Sequence, residues 1–245
     1  MPLLQADASQ LEWRTAVELS QDATGIQEII EGQDVHSLNQ VAFNLGAGAP
    51  GRLLAKIYLF RTIFRGSGWA FANDNDFSHF SSNPKFWDGV NEKFYTKYNG
   101  LDNKHQEWKD LVIRGEPIVG PLGREWFIEL GRDKWGQLKI PWTTLSNYPV
   151  QGTGADIMTI ARISAFKRTQ ALGIPCKFIS TVHDSIVVDV PTQYLQQVAD
   201  IFYQVFDDLQ KNIWKLFKYE WIVPLACECK FGMNMKTTQK ILRSS

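Results

Sequence analysis

Lys177-Phe178-Ile179-Ser180-Thr181-Val182-His183-Asp184-Ser185-Ile186-Val187-Val188-Asp189-Val190 holds two apolar runs with a carboxylate between them. Lys177 to Thr181 and Ile186 to Val190 read as strands, because β-branched side chains suit a pleated, half-buried surface. They are joined through Val182-His183-Asp184-Ser185, so Asp184 sits at a turn between strands. At the N-terminus, Leu3 to Ala8 is apolar up to Asp7 and reads as another strand ending in a carboxylate. Elsewhere the apolar spacing is helical. It predicts helices from Ser9, near Gly25 to Glu31, and from Asp34 to Leu45. Further helices are expected over Arg52 to Phe64, Phe86 to Tyr98, His105 to Ile113, Gln151 to Ala171 and Pro191 to Phe217. Glu116 to Leu130 reads as a hairpin turning at Pro121-Leu122-Gly123-Arg124, Phe71 to Asn83 as a polar surface insertion, and Val223 to Glu228 as a last strand. Helices dominate and the few strands carry acids at their ends, which is α+β.

The 245 residues carry 26 Lys plus Arg and 26 Asp plus Glu, a formal net charge of zero that excludes a disordered polyanion or polycation. It also argues against indiscriminate binding of polyanions, while leaving room for a local basic groove, because the field depends on where charges sit. No apolar run reaches the roughly 18 residues of a membrane span. The N-terminus meets Asp7 too soon for a signal peptide. Three cysteines, Cys176, Cys227 and Cys229, are too few for a disulfide framework and favour a reducing compartment, with cytoplasm the expected location. Cys227-x-Cys229 has no second pair at zinc spacing and reads as packing. His79 and His105 read as surface residues.

Asp7 and Asp184 are candidates for one site, since a small sheet presents strand-end side chains at one edge. Two carboxylates brought together need cations, and Mg²⁺ prefers carboxylate and phosphate oxygen. Two such ions about 4 Å apart activate an attacking hydroxyl and steady a leaving oxygen. A helix N-cap for Asp7 and a turn acid for Asp184 are the plain alternatives. Arg52, Lys56, Phe60 and Phe64 recur every fourth residue and form one stripe on a helix. Two cations followed by two aromatics suit a nucleoside triphosphate, phosphates first and then sugar and base; an amphipathic helix with core Phe residues explains the same spacing. Arg61 and Arg65 lie on another face, for template phosphates or for solvent.

These residues carry a resemblance to family A DNA polymerases, the bacterial polymerase I and T-odd phage type. Asp7-Ala8-Ser9-Gln10-Leu11-Glu12-Trp13-Arg14 is similar to motif A, and Asp34-Val35-His36-Ser37 resembles the D-I-H-x element. Arg52, Lys56, Phe60 and Phe64 fit motif B. Asn147-Tyr148-Pro149-Val150-Gln151-Gly152-Thr153-Gly154-Ala155-Asp156 is close to N-A-P-M-Q-G-T-A-A-D, and Val182-His183-Asp184-Ser185 resembles motif C. The five elements stand in family order.

The resemblance implies a palm with a small antiparallel sheet and mainly helical fingers. Residues 1–45 would be the first palm part with motif A and the start of the fingers, 46–145 the fingers, and 146–245 the second palm part. It implies two Mg²⁺ ions on Asp7 and Asp184 with the Ala8 carbonyl as a further ligand. The dNTP would be held by Arg52, Lys56, His36, Phe60 and Gln10, with Glu12 as steric gate against a 2′-hydroxyl and Lys56 neutralising or protonating the pyrophosphate. Primer-template DNA would meet Phe64, Arg124, Asn147, Gln151 and His183, although a structural role for His183 stands beside that. The departures are Ser185 where an acid is usual, Phe64 for Tyr, Arg65 for Gly and Thr143 for Arg. The family places a thumb, a first palm segment and usually an exonuclease before motif A, so those parts are expected to be absent. The sheet should then have an unpaired edge beside Leu3 to Ala8. Either a separate polypeptide supplies the missing half or the chain is an excised part of a longer protein; the expected activity is template-directed DNA synthesis as the catalytic half of a split polymerase, with an N-terminal thumb or exonuclease-type subunit as partner. The alternative is a non-catalytic DNA-binding or assembly subunit. Compactness and the Asp34-x-His36-x-x-Asn39-Gln40 pattern suggest a phage-like origin.

Overall fold

The computed structural model describes residues 1–244. Strand β1 (Leu3–Ala8) leads into helices α1 (Leu11–Ser20), α2 (Ala23–Ile30), α3 (Val35–Ala42) and α4 (Gly48–Thr62). Helices α5 (Gly68–Ala72), α6 (Asn75–Ser78), α7 (Pro84–Lys97) and α8 (Asn99–Arg114) follow. Two small hairpins come next, β2 (Ile118–Val119) with β3 (Glu125–Trp126) and β4 (Gly131–Arg132) with β5 (Leu138–Lys139). The chain continues through α9 (Trp142–Ala171), β6 (Lys177–Val182), β7 (Ser185–Asp189), α10 (Leu195–Asp207), α11 (Leu209–Phe217), β8 (Cys227–Gly232) and β9 (Gln239–Ile241). Contacts divide it into two units, Met1–Leu11 with Gly152–Ser245, and Glu12–Gln151. The first of these boundaries, after Leu11, falls inside the segment 1–45 that the sequence assigns to the first palm part and the start of the fingers.

The first unit is built on an antiparallel sheet of order β6-β7-β1-β8-β9. β1 alternates: Leu4, Ala6 and Ala8 are buried and Leu3, Gln5 and Asp7 are half-buried on the other face. Helix α10 lies against β1 and β8, and Val198, Ala199, Phe202 and Val205 are buried along it. The expectation of an unpaired edge beside Leu3–Ala8 is overturned. β1 is the central strand, paired to β7 on one side and β8 on the other. Its second partner lies more than two hundred residues away along the chain, beyond the reach of local pattern. The open edges are β6 and β9. The last strand also falls later than expected, at Cys227–Gly232, and β9 was not foreseen. The helix expected from Pro191 to Phe217 breaks at Asp208 into α10 and α11.

The second unit is helical around an aromatic core of Tyr58, Phe71, Phe77, Trp87, Phe94 and Tyr98. Phe71 to Asn83 is therefore no surface insertion. Phe71 and Phe77 have rings 4.9 Å apart and both pack on Trp87. The long helix expected from Gln151 starts nine residues earlier, at Trp142, and carries Pro149 inside it. Proline forfeits one helical hydrogen bond but does not always end a helix. Asn147 and Gln151 consequently stand one turn apart on a single helix.

Candidate active site

In the first unit, pairing brings Asp7 and Asp184 to the same end of the sheet. The register sets Asp7 opposite Ser185 across β1 and β7, so Asp184, the residue before, lies in the two-residue turn between Val182 and Ser185. The Ala8 amide donates to the Asp184 carbonyl at 2.8 Å, which ties the end of β1 to that turn. His183 holds a left-handed φ of 53°, a conformation His tolerates better than most residues. Asp184 and His183 are exposed and Asp7 is half-buried. Asp7 accepts a hydrogen bond from the Gln5 side chain at 2.7 Å and lies 3.6 Å from the Lys230 ammonium.

The same face carries residues that the sequence reading missed. Glu228 is directly across from Asp7 on β8, and Lys230 directly across from Gln5. Directly paired residues in a sheet share a face. Glu228 is paired with Lys240 at 3.0 Å. The available signal was alternation: Cys227 and Cys229 are buried toward the α10 side, where the Cys229 thiol reaches the Ala199 carbonyl at 3.9 Å, so Glu228 between them must face the other way. This also bears out the packing reading of the two cysteines.

Among the described residues no three His, Cys, Asp or Glu side chains converge as a closed metal cage. Mg²⁺ does not require one. It takes one or two protein carboxylates and completes its shell with water and phosphate oxygen. Asp7 and Asp184 supply hard oxygen donors of that kind. Opposite Asp7, the buried Ser185 hydroxyl has no hydrogen-bond partner and offers one more oxygen. The residues present fit the ion.

In the second unit, α4 buries Leu54, Ala55, Tyr58, Leu59 and Thr62 and turns Arg52 and Lys56 to solvent, with Phe60 half-buried. The cationic and aromatic stripe is thus not core, although Phe64 lies just past the helix end. The Phe60 ring is 6.2 Å from the imidazole of His36 on α3. His36 is buried with Nδ1 unpaired, and burial pushes its pKa down to about 4, aided by the charges of Arg52 and Lys56 and opposed by Asp34. Its neutral form dominates at pH 7. Asp34 caps α3 and pairs with Arg52 at 2.7 Å; this hydrogen bond holds its carboxyl well below the usual range. Lys56 has no ion-pair partner among the described residues, which leaves its charge available.

Glu12, in the first turn of α1, accepts a hydrogen bond from the Gln151 side chain at 3.2 Å. The expected gate and an expected DNA contact therefore touch. Gln10 occupies the turn before α1 with a φ of 52°. Arg124 follows the β2–β3 turn at Gly123, whose φ is 82°.

Arg61 and Arg65 both have internal carboxylate partners. Arg61 bridges Asp74 and Asp76. Arg65 pairs with Asp102, lies over the rings of Tyr95 and Trp142 at 4.1 and 5.0 Å, and donates to His105 Nδ1 at 2.9 Å. His105 is not a surface residue as expected; it is buried, and burial together with Arg65 lowers its pKa to about 3.

A family model described as DNA polymerase family A matches residues 1–237. The chain is 26% identical over 216 residues to DNA polymerase I of Streptococcus pneumoniae, covering 84% of this chain and 24% of that protein. It is 25% identical over 243 residues to DNA polymerase I of Deinococcus radiodurans, covering 97% and 24%. Its fold is similar to the solved POL domain of Pol1 from M. smegmatis in complex with DNA primer-template and dNTP. That likeness has a TM-score of 0.78 at 19% identity, over 96% of this chain and 40% of that one. The chain spans about a quarter of the length of these two curated relatives.

Proposed function

Because the chain belongs to DNA polymerase family A, we propose that it carries the palm and fingers of a template-directed DNA polymerase. The reaction is attack of a primer 3′-hydroxyl on the α-phosphorus of a dNTP. The observation that carries the reading is the position of Asp7 and Asp184 at the same end of the first unit's sheet. Asp7 and Asp184 would hold two Mg²⁺ ions, with the Ala8 carbonyl as a further donor. When bound, the ions activate the hydroxyl and stabilise the departing oxygen.

The chain's own residues do the rest. Arg52 and Lys56 grip the triphosphate through charge-assisted hydrogen bonds. Neutral His36 adds a hydrogen bond without a charge of its own. Lys56 balances or protonates the pyrophosphate as it leaves. Phe60 stacks on the incoming base and sugar, Gln10 is a further nucleotide-binding residue, and Glu12, steadied by Gln151, crowds a ribose 2′-hydroxyl. Asn147 and Gln151, one turn apart on α9, take the minor-groove acceptors that every base pair presents, which needs no sequence readout. Phe64, Arg124 and His183 complete the contacts to primer and template. Arg61 and Arg65 are left out of this set, since both are engaged within the second unit.

The activity is that of the catalytic half of a split polymerase, supplied with thumb and first palm segment by an N-terminal polypeptide. Mg²⁺-dependent dNTP incorporation on a primer-template, measured with and without candidate N-terminal polypeptides, is the test. Stimulation by one of them is expected. Full activity of the chain alone refutes the split arrangement. No incorporation under any pairing refutes the enzymatic reading and leaves the assembly-subunit alternative, for which the missing acid at Ser185 is the sequence feature.

A further inference from the structure

One carboxylate links two of the groups assigned to the triphosphate. Asp34 Oδ1 accepts the backbone amide of His36 at 3.2 Å, which starts α3 and sets where His36 stands. Its Oδ2 accepts from the Ser37 hydroxyl at 2.6 Å and from Arg52 Nε at 2.7 Å. The contact to Arg52 uses Nε, so the guanidinium is held from its inner edge. Its two terminal nitrogens donate no hydrogen bond among the described residues. An Arg gripped in this way keeps a pair of parallel N–H donors for a bidentate contact to phosphate oxygen. Long cationic side chains otherwise lose rotamer entropy when a ligand orders them, and an internal anchor places that loss before binding.

We propose that Asp34 is the positioning residue of the triphosphate clamp, registering Arg52 and His36 to each other and presenting the outer face of Arg52 to the phosphates. The inference rests on the reading of α4 as a phosphate-binding helix. It has a definite sign. If Asp34 only competed with phosphate for Arg52, removing its charge would tighten phosphate binding.

The test uses the full chain and Mg²⁺ with inorganic tripolyphosphate as probe, titrated calorimetrically, so that no turnover is needed. Asp34→Asn is informative because Asn caps helices as well as Asp does, so α3 should persist. It should weaken tripolyphosphate binding about tenfold, the scale of a lost hydrogen bond to a charged group. Adding Asp34→Asn to Arg52→Ala should cost nothing further, because the carboxylate acts through the guanidinium. Where extension is measurable, KM for dNTP should rise with kcat within about twofold, as for an interaction equal in ground and transition states. Unchanged or tighter binding in Asp34→Asn, with Arg52→Ala still weakened, overturns the positioning role alone. Unchanged binding in Arg52→Ala overturns the clamp reading itself. Should Asp34→Asn fail to fold, Asp34→Glu keeps the charge but misplaces it, and wild-type affinity in that variant overturns the proposal.

Discussion

Arg65→Ala separates an internal strut from a nucleic-acid contact. The side chain of Arg65 is 17% exposed and that of Asp102 is 37% exposed. Breaking such a pair falls between the roughly 3–5 kcal/mol of a buried ion pair and the 1 kcal/mol or less of a surface pair, closer to the latter because Asp102 is screened. Loss of the two ring faces adds about 1 kcal/mol. His105 Nδ1 would lose its donor in a site where Nε2 already has no partner, a further cost of about 1–3 kcal/mol. These terms share atoms and do not simply add, and a net loss of about 3 kcal/mol is expected. The assay is chemical denaturation at pH 7.

A pH series supplies an independent signature. With a folded pKa near 3 against an ordinary 6.5, His105 takes up protons more readily in the unfolded chain. Its contribution to stability is therefore intact above pH 6.5 and is lost as pH falls from 6.5 toward 3. Without the Arg65 charge the folded pKa moves up, and the stability curve of the variant should be flatter in that window. A change below about 0.5 kcal/mol at pH 7, typical of solvated surface positions, would refute the reasoning. Weakened DNA binding with unchanged stability would return Arg65 to the template.

Other positions give equally definite expectations. Phe77→Ala, which empties a fully buried site among Phe71 and Trp87, should cost about 3–5 kcal/mol, and denaturation would expose the error if the loss were that of a loop residue. Phe60→Tyr should increase incorporation of dideoxynucleotides, since its added hydroxyl replaces a missing 3′-hydroxyl contact; unchanged discrimination in a competition assay places Phe60 elsewhere. Glu12→Ala should admit ribonucleotides, and Gln151→Ala should do so more weakly because Gln151 only steadies the gate. Continued exclusion in Glu12→Ala would assign the gate to another residue.

The parts of the fold legible in the sequence are those encoded locally. Leu3–Ala8, apolar up to Asp7, is a strand over the residues its sequence indicates, and the stripe of Arg52, Lys56 and Phe60 declares the exposed face of α4. What escaped was encoded by partners far along the chain. Glu228 and Lys230 reach the Asp7 face only because β8 pairs with β1. His105 stands in a polar helix that reads as surface, whereas it is buried with its Nδ1 accepting from Arg65, forty residues earlier. The polar stretch before α7 misled for a different reason. Asp74 and Asn83 are N-caps of α6 and α7, so residues that looked like solvated loop are the starts of short helices around buried Phe71 and Phe77. Pro149 was read as a helix boundary because proline usually is one.

Single-turnover primer extension by the wild type and Asp184→Asn, in Mg²⁺ and in the reaction mixture that supports wild-type synthesis, tests the proposed role of Asp184 most directly. Incorporation should fall by at least about a hundredfold, the scale of losing a principal charge-stabilising group, while primer-template affinity by fluorescence anisotropy stays within about twofold, since Asp184 repels rather than attracts phosphate. Turnover within tenfold of wild type would contradict the assignment of catalysis to the end of this sheet.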